Sequence, residues 1–463
     1  MSGGTLFTNA RLVDRDIDCP GSVLIRDGLI EAVYLGDSAA LQTASAAINI
    51  VDLGGKVLMP AFIDLHAHFR DPGQEYKEDL VSASRAAAAG GYGTVVLMAN
   101  TNPVISDSDA AVRVRERAAS IGLVDAFQAV SLTRDFNGSD TSALASLDPA
   151  HVPVATEDGR EVASAAVMLE AMRTCAVTGV IVSCHCEDPA LAASARPFRE
   201  AALRADAESG FPAFADRGRR GSSDFSGSGD SVPQAVRKNL AEAERLLRLA
   251  EDTMTVRNLT LAAETGCRVH IAHISTVGSL NALRHARSAL LHGGGLPSIT
   301  CEVTPHHLAL TDTVPAIVNP PLRSRADRDA LIEGIIDGTI DAIATDHAPH
   351  SLADKAAGAP GFSGIQTAFS SCYTVLVKTG RIGLSRLSAL MAARPAEILG
   401  VARGLLRPGY AADLALIDPE GEWTVEPNDS SRWFSKSINT PFCGSVLSGK
   451  VLSTWHRGRK VYP

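Results

Sequence analysis

Between residues 59 and 400 the chain repeats one unit, a short apolar run followed by a stretch of helical periodicity. The apolar runs fall near 60–66, 93–98, 124–130, 152–156, 180–184, 269–273, 299–303 and 341–345. They are too short for helices and carry no polar alternation, the pattern of parallel strands buried on both faces. Between them lie Glu78–Ala89, Asp107–Ala119, Ser164–Ala176, Leu240–Thr265, Gly278–Leu291 and Arg325–Asp337, all of helical character. The segment between the third and fourth strands is the weakest of the helical stretches. Eight strand–helix units predict an α/β fold, a (β/α)8 TIM-like barrel. An open doubly wound sheet shares this rhythm, but no GxGxxG follows the first strand.

The flanks have a different rhythm. Residues 6–58 read as short alternating strands (LFTNARLV, SVLIRDGLIEAVYLG, INIVDLGGKVL), with a turn at Arg26-Asp27-Gly28. The C-terminal stretches DLALIDP, EWTVEP and GSVLSGKVLSTWHRGRKVY repeat the style. Residues 1–58 plus 401–463 are therefore expected to form one small β-sandwich domain beside a catalytic barrel of 59–400. One segment departs from both patterns. DRGRRGSSDFSGSGDS (216–231), between the fifth and sixth strands, has too little apolar surface to bury and reads as a mobile loop. A plain surface insertion is the favoured reading there, and a lid the second. Gly358–Gly364 (GAPGFSG) reads as another flexible loop on the same face.

A net charge of −9 with no basic tract argues against nucleic acid or an anionic membrane as partner. The eight cysteines include no CxxC pair, which suits a reduced, cytoplasmic chain. No signal peptide is expected from MSGGTLFTNARLVD, and no apolar run reaches the roughly 18–20 residues of a membrane span.

In such a barrel, chemistry sits at the C-terminal ends of the strands. The first strand ends in His66, His68 and Arg70, the second in Asn100, and the fourth in Glu157 and Asp158. The fifth ends in His185, the sixth in His273, the seventh in His306 and His307, and the eighth in Asp346, His347 and His350. Imidazoles and carboxylates suit zinc, although nitrogen and oxygen ligands also admit manganese or cobalt. His66, His68, Asp158, His185, His273 and Asp346 make six candidate ligands. One or two ions fit this set. With two, Asp158 bridges them, His66 and His68 with Asp346 complete one site, and His185 and His273 complete the other. Asp346 is the candidate catalytic proton shuttle. Arg70, Asn100 and His350 are left for substrate, and a guanidinium with an imidazole suits a small carboxylate anion. Asn319 in NPPLR could read a polar ring edge. His270, out of phase with His273, is expected to face the helix layer. Cys184 and Cys186 alternate away from His185 and are not expected to ligate.

With these residues laid out, nearly the whole chain resembles the class I dihydroorotases of the amidohydrolase superfamily. The motifs are DLHAHFRDPG (64–73), LMANTNPV (97–104), EDG (157–159), CHCED (184–188), HIAHIST (270–276), TPHHLALTD (304–312), NPPLRS (319–324), ATDHAPHS (344–351) and INTPFCG (438–444). The resemblance implies interconversion of N-carbamoyl-L-aspartate and L-dihydroorotate in pyrimidine synthesis. It also implies metal ligation by the six residues above and substrate contacts from Arg70, Asn100, Asn319 and His350. Many relatives bridge their metals with a carbamylated lysine, and Asp158 stands there instead. A homodimer and a carbamoyltransferase partner are expectations at the level of the family. Three departures bear on the substrate: Glu157 where the family has aspartate, Gln366 and PGFSG where it has PFG-x-x-G-x-E, and the long 216–231 insertion. Allantoinases share the glutamine, which keeps an allantoinase- or hydantoinase-like ring hydrolase as the alternative. A non-catalytic partner subunit is disfavoured because every ligand position is filled.

Overall fold

The computed structural model describes residues 4–36, 48–208, 233–291, 299–314 and 316–463. The 216–231 segment expected to be a mobile loop or lid lies outside the described residues.

The first five strands belong to the small domain: β1 (Gly4–Val13), β2 (Asp18–Arg26), β3 (Leu29–Leu35), β4 (Ile48–Asp52) and β5 (Val57–Pro60). The barrel follows with β6 (Phe62–Ala67), β7 (Tyr92–Leu97), β8 (Asp125–Gln128), β9 (Val130–Ser131), β10 (Val154–Thr156), β11 (Ile181–Cys184), β12 (Val269–Ile271), β13 (Ile299–Val303) and β14 (Ala342–Ile343). The chain then returns to the small domain with β15 (Leu414–Thr424), β16 (Val446–His456) and β17 (Arg459–Tyr462).

The barrel strands pair in parallel, β6–β7–β8 in one run and β9 through β14 in the other. The two runs are one ring. β8 and β9 are halves of a single strand interrupted at Ala129, whose N–H donates to the Leu97 carbonyl at 2.9 Å. At the other seam the His68 N–H donates to the His347 carbonyl at 2.8 Å, and Ala67 bridges His347 in parallel. Closure therefore falls between the HxH strand and the TDHAPH strand, bringing the two ends of the domain's sequence face to face.

Strands from both termini form a single hydrogen-bonded sheet in the order β17-β16-β15-β5-β1-β2-β3, with β4 also on β1. A common apolar core unites them through Phe7, Leu12, Val23, Leu58, Leu414 and Trp455. β5 leads directly into β6, so the first barrel strand starts from a fixed sheet.

The helices begin where local chemistry starts them. α1 (Leu80–Ala89), α2 (Ser108–Ile121) and α3 (Ala165–Thr178) follow Asp79, Asp107 and Ser164, each accepting from an N–H of the first turn. α4 (Pro189–Glu208) and α5 (Gln234–Thr265) pack through Ala195, Ala243 and Leu247. α6 (Val277–Leu291), α7 (Pro305–Ala309), α8 (Arg325–Ile336) and α9 (Leu352–Ala356) complete the set used below. Two features depart from the sequence reading. The connection between β9 and β10 holds two short 3-10 turns, Arg134–Phe136 and Ser142–Ser146, where a barrel helix was expected weakly. α4 was not foreseen: the sequence reading placed no helix between the fifth strand and Leu240. No helix among the described residues is long and apolar enough to cross a membrane.

α5 is tied to the barrel rim by a buried carboxylate. Glu251 accepts from the N–H groups of Ser275 (2.8 Å) and Thr276 (3.1 Å) and from the Arg323 guanidinium (3.0 Å). Removing one partner of such a pair leaves an unbalanced buried charge. Glu251→Ala is expected to lower stability by about 3–5 kcal/mol, read as a smaller urea midpoint at unchanged m-value. A loss under about 1 kcal/mol would show that the rim is anchored elsewhere.

Candidate metal centre

The HxH spacing works because His66 lies on β6 and His68 just past it, so both rings turn into the barrel mouth, 5.3 Å apart between centroids. Each ring has its Nδ1 occupied. His66 Nδ1 donates to Glu302 Oε1 at 3.1 Å, and His68 Nδ1 donates to Asn100 Oδ1 at 2.9 Å. This fixes the tautomer that leaves both Nε2 lone pairs facing the centre.

Asp158, at the end of β10, sits among the rings with only 4% of its surface exposed. Its Oδ1 lies 3.3 Å from His66 Nε2, 3.2 Å from His185 Nδ1 and 3.8 Å from His273 Nε2. Its Oδ2 faces the other way, 3.5 Å from His68 Nε2, and accepts from Asn100 Nδ2 at 3.1 Å. Asp346 Oδ1 lies 3.1 Å from His68 Nε2 and 3.7 Å from His66 Nε2. All six sequence-predicted ligands thus converge. Two triads, His66–Asp158–His273 and His66–His68–Asp346, each offer ligand atoms within 4.8 Å of one another.

The donor set fits a divalent cation. His66 Nε2, His185 Nε2 and His273 Nδ1 are buried without a hydrogen-bond partner among the described residues. His185 Nδ1 and His273 Nε2 face each other at 2.9 Å. The carboxylates around these rings favour the charged form of the imidazoles. Burial works against charge on His185, yet the hydrogen bond to Asp158 and its charge raise that imidazole to about 9. Burial likewise opposes the proton on His66, and Asp158, Glu302 and Asp346 outweigh it, so its pKa lies well above the ordinary value. Burial would raise the Asp346 carboxyl, but His68, His66 and His273 carry it far below the carboxylate range.

Of the residues expected to meet substrate, Asn100 touches the cluster directly and Arg70 contacts His350. Arg70 is buried at 7% exposure, and its Nε donates to the Pro349 carbonyl at 3.3 Å. Its Nη2 lies 3.3 Å from His350 Nε2. Burial, with the charges of Arg70 and Lys77, holds His350 down to about 3, so its neutral ring accepts from Arg70. Among the described residues no carboxylate forms an ion pair with Arg70. Asn100 uses both ends of its amide within the cluster, between His68 and Asp158. Asn319 lines a cavity of about 660 Å³ together with Glu157, Gly159, Glu187, Arg199 and Pro360.

Several residues differ from the sequence reading. His270 does not face the helices: its Nδ1 meets Thr300 Oγ1 at 2.8 Å and its Nε2 lies 3.0 Å from Glu302 Oε2, under His66 inside the barrel. Glu302 was missed altogether. The available signal was a charge in the middle of ITCEV, where a buried carboxylate needs partners. His307 holds the Asn319 loop: Thr304 donates to its Nδ1 (2.7 Å) and its Nε2 donates to the Pro321 carbonyl (3.1 Å). Gly358–Gly364, expected to be flexible, is pinned. Gly361 N–H donates to Ile317 O at 3.1 Å, Ser363 N–H to Asn439 O at 2.7 Å, and Lys355 Nζ to Gly361 O at 3.0 Å. Gln366 turns away from the cavity, donating to the Arg432 carbonyl and accepting from the Phe434 N–H at 3.2 Å. Glu157 accepts from the N–H of Thr133 at 3.0 Å and from its hydroxyl.

Residues 57–461 match the model of the amidohydrolase family. The chain belongs to that family. It is 36% identical to a dihydroorotase of Clostridium botulinum (strain Eklund 17B / Type B), with 99% of each chain covered. It is 36% identical to a dihydroorotase of Citrifermentans bemidjiense, covering 100% of this chain and 99% of the relative. Among solved structures it shares its fold with the L-hydantoinase of Arthrobacter aurescens, at a TM-score of 0.79 and 23% identity over 99% of this chain and 96% of that one. The dihydropyrimidinase of Brevibacillus agri gives a TM-score of 0.76 at 18% identity, over 99% and 95% of the two chains.

The protons on His185 and His66 set the pH dependence of metal uptake. An imidazole must lose its proton before it ligates, so affinity is expected to climb with pH until His185 has titrated near 9. Competition between metal-stripped protein and a chelator should show affinity rising about tenfold or more per unit between pH 6 and 8. A flat profile, after correction for the chelator, would show that these rings are already neutral.

Proposed function

We infer that this chain is a dihydroorotase, a metal-dependent cyclic amidohydrolase interconverting N-carbamoyl-L-aspartate and L-dihydroorotate in pyrimidine biosynthesis. The observation that carries the reading is Arg70, a buried guanidinium beside the ligand cluster that forms no ion pair with a carboxylate among the described residues, in a chain collinear with curated dihydroorotases. Burial lowers its pKa to about 10, so it stays charged at neutral pH. Such a cation needs an anion. Dihydroorotate carries a carboxylate on its ring, whereas hydantoin, dihydrouracil and allantoin carry none. Gln366, the residue that suggested allantoinase, touches the backbone of residues 432–434 and not the cavity.

In this reading His66, His68, Asp158, His185, His273 and Asp346 would hold two zinc ions. When bound, such ions supply a water acidified toward neutrality and polarise the carbonyl that it attacks. The residues do the rest. Arg70 and His350 hold the ring carboxylate and so fix which ring amide faces the cluster. Asp346 has one oxygen engaged by His68 and His66. Its other oxygen takes the proton released as water adds to the ring carbonyl. The same proton passes to the ring nitrogen as the C–N bond breaks, and the reverse order closes the ring. Asn100 keeps His68 and Asp158 aligned throughout. A small anion is the partner this mechanism needs.

Metal-replete protein is expected to turn over dihydroorotate and carbamoyl aspartate, and to leave hydantoin, dihydrouracil and allantoin nearly untouched. Preference for a neutral ring would replace this reading with a hydantoinase-type one. Asp346→Asn should lower kcat by about 10²–10⁴. Arg70→Ala should raise KM for carbamoyl aspartate roughly 10- to 150-fold, the equivalent of about 1.5–3 kcal/mol for a charged hydrogen bond. An unchanged KM would remove Arg70 from the carboxylate site.

A further inference from the structure

The connection between β11 and β12 is the one that carries two long helices, α4 and α5, and α4 brings a cation to the cavity wall. Arg199 Nη1 donates to Asn319 Oδ1 at 2.5 Å, and its Nη2 donates to the Val318 carbonyl at 3.0 Å. A second side chain grips the same segment: the Lys355 amine, lowered by burial to about 7, donates from Nζ to the Ile317 carbonyl at 3.0 Å. Residues 317–319 are therefore clamped between α4 and α9.

A guanidinium has donors and no acceptor. The amide end of Asn319 that faces Arg199 must be its oxygen, and its NH2 is then the end offered to the cavity. Among the described residues no acceptor from the protein engages that NH2. We propose that Arg199 is a positioning residue for substrate recognition, fixing the Asn319 amide so that Nδ2 donates to a carbonyl oxygen of the substrate. The proposal rests on the dihydroorotase reading, in which Asn319 meets the ring. Dihydroorotate has ring carbonyl oxygens and carbamoyl aspartate has a carbamoyl oxygen to accept this bond. Burial lowers the Arg199 guanidinium only to about 10, so the clamp holds across the range in which the enzyme is assayed.

Steady-state kinetics of the metal-replete enzyme test this in both directions with Arg199→Ala, Arg199→Lys, Asn319→Ala, Asn319→Asp and the double alanine variant. Arg199→Ala is expected to raise KM for dihydroorotate about tenfold with kcat within about threefold, the signature of lost uniform binding. Arg199→Lys, with a donor but no fork, should recover part of it. Asn319→Asp keeps an acceptor for Arg199 but has no NH2, so it should match Asn319→Ala. Because Arg199 acts through Asn319, adding Arg199→Ala to Asn319→Ala should change KM by less than about twofold. Asn319→Asp behaving as wild type overturns the proposal, even if the Arg199 variants fail to fold. So do an unchanged KM in Arg199→Ala and effects that multiply in the double variant. Wild-type enzyme turning over neither compound overturns the dihydroorotase reading and this proposal with it; wild-type turnover with any of the preceding results overturns this proposal alone.

Discussion

Everything at the barrel mouth is arranged around one buried carboxylate. Asp158 turns one oxygen toward His66, His185 and His273 and the other toward His68 and Asn100. An anion so deeply buried is costly unless opposite charge or hydrogen-bond donors surround it. Four strands other than its own supply that surround, β6, β7, β11 and β12, which only a closed barrel can aim at one point. A cation and a set of imidazole protons are competing ways of satisfying the same carboxylates. That competition links the metal chemistry to the protonation chemistry.

Holding the groups there strains the backbone. Arg70, His273 and Asp346 adopt φ of 60°, 31° and 44°, a left-handed region unfavourable for side chains with a Cβ. Residues of this kind cost of order 1–3 kcal/mol each and persist only where their surroundings over-determine them. Those surroundings can be named. Asp64 accepts from the Thr345 N–H at 2.9 Å and from its hydroxyl, locking the first strand to the eighth just before Asp346. Glu251 grips Ser275 and Thr276, just after His273. Gly73 packs so tightly on the Asn102 carbonyl that a Cβ would lie 1.7 Å from it, which presses the turn after Arg70 onto the loop that carries Asn100.

The convergence of the six candidate ligands was legible because each closes an apolar run, and barrel geometry makes strand ends neighbours whatever their separation along the chain. The eight runs, the helix starts at Asp107 and Ser164, and the terminal strands were legible for similar reasons, since each depends on local pattern. What was hidden depends on distance. Glu302 looks like an isolated charge until the fold shows His66 on one oxygen and His270 on the other. The phase argument for His270 assumed an ideal strand, whereas β12 is regular only from Val269 to Ile271 and His273 follows in a left-handed bend. Gln366 was conspicuous in the sequence because it departs from a motif. Its side chain nonetheless serves a contact with residues 432 and 434 that no local reading could foresee.

That contact bears on why the chain builds a domain from its two ends at all. The segment that runs from β15 to β16 crosses the barrel mouth. Ser437 Oγ donates to the His350 carbonyl at 2.8 Å, Asn439 Nδ2 to the Gly361 carbonyl at 2.7 Å, and Ser435 Oγ to Glu78. Trp433, buried among Phe442, Val425 and Leu447, donates to the Ser437 carbonyl at 2.9 Å and stiffens the crossing. The small domain thus reaches the loop in which His350 meets Arg70. The hydantoinase structures share this fold, and a fold by itself does not set which ring is bound. In this chain the crossing segment from the C-terminal strands contacts His350, and α4 of the α4–α5 pair contacts Asn319.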